Sequence, residues 1–127
     1  MVYPVNRRWE GELIMKIVKV SERFPYPGPR FKRLGPQSGE EFKAFMLKIF
    51  KDTYGDDFTK NNNIILMIDL DGTPGYGSSF LEEGFGGLIR EGVPYKLLNS
   101  LKIKTDEEPE LADEIKEYID DEYKKKS

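Results

Sequence analysis

The sequence predicts a single α/β domain in which one sheet carries helices packed against it. Three observations lead there. Short apolar runs rich in β-branched residues occur at Ile14–Val20 and Ile64–Ile68. Helical patterns with one apolar stripe alternate with them, after Ser38, after Ser79 and after Pro109. Glycine- and proline-bearing connections separate the two kinds of segment. With 127 residues, 38% apolar and 13% aromatic, the chain has one-domain length and the composition of a folded domain with a real core.

Residues 1–13 have no clear period, although Trp9 offers a large apolar group. A second methionine at Met15 marks residues 1–14 as an expected extension to a domain spanning 15–127. Ile14–Val20 alternates apolar and polar residues and is expected to be a strand. Pro25, Pro27, Gly28 and Pro29 force a loop, after which Arg30–Leu34 is expected to return as an edge strand. Ser38 with Glu41 forms a capping-box pattern, and Phe42, Phe45, Met46, Ile49 and Phe50 fall on one helical stripe. That helix should end near Asp52–Gly55, and 56–63 is a polar connection.

The unbroken run Ile64–Ile68 predicts a strand buried on both faces. Asp69, Asp71, Gly72, Pro74, Gly75 and Gly77 follow as a turn, and Ser78 and Ser79 stand before the next helix. Phe80, Leu81, Phe85, Leu88 and Ile89 are its burial stripe, which leaves Glu82, Glu83 and Arg90 for solvent or a partner. Ser79 with Glu82 is a second capping-box pattern. Gly84, Gly86 and Gly87 each cost about 1 kcal/mol inside a helix, so another backbone should approach closely or the helix should be pliable. Gly92 and Pro94 end it. Tyr95–Leu98 suits a short helical turn and Ser100–Lys104 a strand. The last helix places Leu111, Ile115, Tyr118, Ile119 and Tyr123 on one side, with acids at its start and lysines at its end, as the helix dipole favours.

Composition removes much chemistry. No cysteine and no histidine means no thiol nucleophile, no disulfide, no imidazole base and none of the commonest metal ligands. Neither a metal nor another cofactor is expected, and any catalysis would rest on carboxylates, serines, tyrosines or lysines. A net charge of −3, with Arg30, Lys32 and Arg33 beside Phe31 as the one early basic cluster, argues against nucleic acid as a partner. No apolar run approaches the roughly 20 residues of a membrane helix and no leader pattern is present, so a cytoplasmic protein is expected.

A strand, a glycine-rich turn and a serine-led helix place exposed side chains and free N–H groups at a sheet edge, and a working site is expected there. Ile68-Asp69-Leu70-Asp71-Gly72-Thr73 resembles the first motif of haloacid-dehalogenase-like phosphatases. That resemblance would make Asp69 a nucleophile and Asp71 a general acid/base, with Mg²⁺ screening the phosphate. Such a chain also needs a later lysine and distant acids, and only 56 residues follow Asp71.

The run Gly75–Arg90, together with Gly28-Pro29-Arg30-Phe31 and Gly35–Phe42, resembles the STAS-like family of small bacterial domains of unknown function over Met15–Ile119. The resemblance implies a single mixed β-sheet with helices packed against it, and kinship to the STAS domains of anti-sigma factor antagonists. In those, an Asp-Ser-Ser-Gly-Leu stands between a central strand and the next helix, and its first serine is phosphorylated by a partner kinase. Carried over, it falls on Gly77-Ser78-Ser79-Phe80-Leu81, which makes Ser78 and Ser79 the phosphoacceptor candidates. Gly77 replaces the aspartate and Phe80 the glycine.

The expected function is therefore a non-enzymatic regulatory module that binds a protein, either a histidine-kinase-type ATPase or another bacterial regulator. Its expected contact surface is Asp71, Gly72, Tyr76, Gly77, Phe80, Glu82, Glu83 and Arg90. The alternatives are the Asp69/Asp71 phosphatase and nucleotide or anion binding at the Gly72–Ser79 turn. The simplest role of the two serines is to cap the helix, worth about 1 kcal/mol.

Overall fold

Each strand of the sheet is followed by a helix that returns the chain to the same end, so all pairings are parallel. A computed structural model describes residues 13–126. The extension expected over residues 1–14 lies outside these, apart from Leu13 and Ile14, and Ile14 already belongs to the first strand. In chain order the elements are β1 (Ile14–Lys19), α1 (Val20–Arg23), α2 (Gly39–Tyr54), β2 (Ile64–Asp69) and α3 (Ser78–Leu81). A π turn (Glu82–Gly86) continues α3 directly into α4 (Gly87–Arg90). Then come α5 (Tyr95–Asn99), β3 (Lys102–Lys104) and α6 (Leu111–Lys126). The sheet order is β1-β2-β3, with Val18 opposite Ile68 and Ile68 opposite Ile103. A single sheet with helices packed on it is the expected architecture, and its described strands all run parallel.

Strand alternation divides the sheet. Val18, Leu66 and Ile68 are buried on the face covered by helices. Met15 and Ile17 point the other way, beside Ile65 and Met67, and remain 48% and 63% exposed. Burial of β2 on both faces is thus not found: Leu66 and Ile68 are fully enclosed, while Ile65 and Met67 are only half-buried. The helices supply cover for one face and no described element covers the second.

Arg30–Leu34 is not an edge strand. Lys32–Leu34 is a single 3-10 turn, because Glu40 Oε1 accepts the Lys32 N–H at 2.8 Å and Gly39 and Glu40 donate to the Pro29 and Arg30 carbonyls. Those bonds turn the segment onto the start of α2 rather than onto the sheet.

Ser38 caps α2 as expected. Its hydroxyl accepts from Glu41 N at 3.1 Å, and the Glu41 carboxylate accepts from Ser38 N at 3.0 Å. The apolar stripe then brings Phe42 against Phe80 (ring centroids 5.0 Å, stacked), Phe24 (5.5 Å) and Phe85 (5.4 Å). All four rings are fully buried, and each pair adds roughly 1 kcal/mol beyond its area. This cluster holds the start of α3 against α2 and so sets where Ser78 and Ser79 emerge.

Candidate functional site

The turn after β2 leaves the end of the sheet where the parallel strands finish, the usual place for sites in such sheets. It is firmly tied. Asp69 is buried, accepts the Asp71 N–H at 3.0 Å and has Lys19 Nζ at 3.6 Å. Asp71 accepts three bonds from the far side of β3: Lys104 Nζ at 2.8 Å, Glu107 N at 3.0 Å and Asp106 N at 3.1 Å. The Lys104 ammonium, with the Glu107 and Asp106 N–H groups, holds the Asp71 carboxyl down at about 2, and Lys104 is correspondingly raised.

Gly72 donates its N–H to Glu107 Oε1 at 2.8 Å and has φ +95°, where a Cβ would meet Ser21 Oγ at 3.1 Å. The turn is therefore wedged between the β1 and β3 sides. Thr73 Oγ1 accepts the Gly75 N–H. Tyr76 donates its hydroxyl to the Leu70 carbonyl at 2.7 Å and lies 5.8 Å from the Phe80 ring, and burial pushes its pKa up to about 12.

Gly77, not a serine, is the N-cap of α3. Ser78 and Ser79 are exposed, and their hydroxyls make no hydrogen bond among the described residues. The second capping box and the capping role of these serines are thus not realised, because the helix already begins at Ser78 and both serines lie inside its first turn. Arg30 Nη1 donates to Glu82 Oε1, and Arg90 Nη1 donates to Glu82 Oε2 at 2.9 Å.

Glu82 belongs to a network centred on Glu83. Glu83, only 7% exposed, meets Lys43 at 2.9 Å, Arg30 at 3.2 Å and Arg90 at 3.3 Å, and Arg90 also reaches Glu122 at 2.9 Å. Burial pushes both carboxyls up, but Arg90 and Arg30 beside Glu82, and Lys43 and Arg30 beside Glu83, outweigh it and hold both below the ordinary range. The expectation that Glu82, Glu83 and Arg90 stand free on an exposed helix face is corrected accordingly: they join α2, the 28–37 loop and α6 to the π turn.

The glycines explain the turn. A Cβ on Gly84 would lie 2.3 Å from Phe42 Cδ2, and one on Gly87 would lie 2.7 Å from Lys43 Cδ. Side chains make the closest approaches at Gly84 and Gly87, and at Gly86 the expected backbone is present too, with the Tyr118 carbonyl of α6 3.4 Å from where a Cβ would stand.

Pattern reasoning missed Lys104, Glu107, Lys43 and Glu122 as partners of the motif. They lie 32 to 40 positions away from the groups they bind, beyond any local spacing rule. Among the described residues no group of three or more acids is placed to hold a metal ion, and no helix is long and apolar enough to cross a membrane. An apolar cleft of about 250 Å³ opens between α5, β3 and α6, lined in part by Leu98, Leu101, Ile103, Ile115 and Ile119, and includes none of the Gly72–Ser79 residues.

A family model described as a STAS-like domain of unknown function (DUF4325) matches residues 38–111, more than half of the chain. The chain belongs to this STAS-like family. Comparison with curated proteins finds no match, and neither does comparison with solved structures. The stretch that defines the STAS-like domain runs from the Ser38 cap to Leu111, the first residue of α6. It contains β2, the tied turn, both serines and the π turn. Gly28–Phe31 and β1 fall outside it.

Proposed function

We propose that this STAS-like domain is a non-enzymatic regulatory module that docks a protein partner at the Asp71–Phe80 turn and is switched by phosphorylation at Ser78 or Ser79. One observation carries the reading: two adjacent serines with free hydroxyls stand exposed at the head of a helix whose position is fixed by a buried aromatic cluster. A phosphate there would be tolerated by the helix terminus while adding nearly two negative charges to the docking surface. The family resemblance points to a bacterial signalling protein as partner, with a histidine-kinase-type ATPase as the leading class.

The state of Asp71 also favours a binding role over the phosphatase alternative. Its oxygens are occupied by Lys104 and two backbone donors, and a carboxyl held at about 2 is a poor proton carrier at neutral pH. In the turn, Gly72 N–H and Gly75 N–H are likewise taken, which weighs against an anion cradle.

The test is capture of partners from the native host on the tagged protein, with Ser78→Ala and Ser78→Glu beside the wild type. A kinase-like ATPase or regulator held by wild type and Ser78→Ala but lost with Ser78→Glu is the expected result. A partner held equally by all three would remove the switch. Mg²⁺-dependent hydrolysis of a phosphate ester that Asp69→Asn abolishes would overturn the non-enzymatic reading.

A further inference from the structure

β3 is an edge of the sheet: it pairs with β2 on one side, and no described strand pairs with the other. One bond fixes which way its backbone groups point, the Leu70 N–H donating to the Lys104 carbonyl at 2.8 Å. Such groups alternate along a strand, so Lys102 and Lys104 turn theirs toward β2 and Ile103 turns its N–H and C=O outward. Side chains alternate between the faces as well. Ile103 lies opposite the buried Ile68, on the helix-covered face, and Lys102 lies opposite Met67, on the open face.

The apolar cleft between α5, β3 and α6 is lined by both Ile103 and Lys102. These neighbours point to opposite faces, so the cleft reaches the outer edge of the strand. Its floor carries Leu98, Leu101, Ile115 and Ile119, and its volume of about 250 Å³ takes an aliphatic side chain. Charge differs across the strand. On the open face Lys102 is exposed with no carboxylate within ion-pair distance among the described residues, and Lys104 is shared between Asp71 and Asp106. On the cleft side the α6 wall carries Asp120, held by Tyr95 and Lys116, and the exposed Asp113.

We propose that this edge binds an extended segment of another protein by strand addition, with an apolar residue in the cleft and an acidic residue on each side of it. An antiparallel segment that exchanges both backbone bonds with Ile103 sets the residue opposite Ile103 on the helix-covered face, into the cleft. Its two neighbours then fall on the open face, opposite Lys102 and Lys104. Acids there meet cations, whereas an acid at the cleft-facing position meets Asp113. A second copy of the chain is the poorer occupant. Antiparallel pairing of β3 with itself about a twofold axis sets lysine opposite lysine, the arrangement by which edge lysines oppose self-pairing. The inference goes beyond the proposed function: the cleft includes none of the Gly72–Ser79 residues, and its test involves neither serine.

The experiment is fluorescence anisotropy of a labelled, capped heptapeptide, Glu-Val-Glu-Leu-Glu-Val-Glu, titrated with the full chain. Saturable binding is expected. N-methylation of the central leucine, which removes the donor to the Ile103 carbonyl, should weaken it on the order of tenfold, and Lys102→Glu should do the same. Ala112→Leu, which puts a larger side chain into the cleft, should abolish it. Absence of saturation at millimolar protein overturns the proposal, as does equal binding of the N-methylated peptide or of a peptide with lysine in place of every glutamate. Unchanged binding by Ala112→Leu overturns it too. A wild-type chain that dimerises in sedimentation velocity and excludes the peptide as it does so would assign the edge to a second copy, against the proposal. Circular dichroism verifies folding, and Ala112→Met, expected to block the cleft in the same way, replaces an Ala112→Leu chain that fails to fold.

Discussion

Two helix starts in this domain carry the same local signature, a serine followed three residues later by glutamate, and they behave differently. At Ser38 the serine is buried and bonded reciprocally with Glu41. At Ser79 the hydroxyl is exposed and unbonded, and Glu82 has turned to Arg30 and Arg90. The signature is a local offer, taken up only where the serine falls at the N-cap: Ser38 does, whereas α3 starts from Gly77 and leaves Ser79 as its second residue. The contrast leaves Ser38 structural and the Ser78–Ser79 pair exposed.

The largest expected disturbance comes from closing the π turn that aims Glu82 and Glu83 at their cations. Gly84→Ala would drive a methyl into the Phe42 ring, and the loss expected is about 3 kcal/mol by overpacking, read as a lower urea midpoint. Next, Ser38→Ala should cost about 1 kcal/mol, whereas Ser78→Ala and Ser79→Ala should each stay within about 0.5 kcal/mol in the same assay. Equal costs at Ser38 and Ser79 would erase the distinction.

The smallest effect is one of pH. Asp71 has its carboxyl depressed from 3.8 to about 2 in the folded state, so its contribution is complete above about pH 4 and is lost as pH falls toward 2. Asp71→Asn should flatten the acid limb of the stability curve by about one proton. An unchanged limb would mean that the tie to Lys104 does not persist in solution.

The same contrast shows which parts of the molecule were legible in the sequence. Features set by neighbours along the chain could be read: the Ser38 cap, the burial of Phe80, Leu81, Phe85, Leu88 and Ile89, and the stop at Gly92, where φ is +96°. Features decided by distant groups could not. Arg30 reaches Glu82 and Glu83 across more than fifty positions, which turns an apparent solvent face into an internal ion network. Lys104, Asp106 and Glu107 convert Asp71 from a candidate proton carrier into an anchor. The 3-10 turn at Lys32–Leu34 has the same origin, since an apparent strand gave way to bonds from the start of α2. The exposed Ser78–Ser79 pair was found because its position depends only on strand, turn and helix order.

The all-parallel arrangement also bears on how the domain assembles. No two neighbouring strands are joined by a hairpin, so neither strand pair can form before a long intervening segment has closed. β2 is the common partner of β1 and β3, and a chain emerging from the ribosome has no sheet to build until residues 64–69 are free. The local gains available before then are helical, chiefly α2 with its own cap. Refolding should therefore be slower than for a helical bundle of this size, with α2 formed ahead of the sheet.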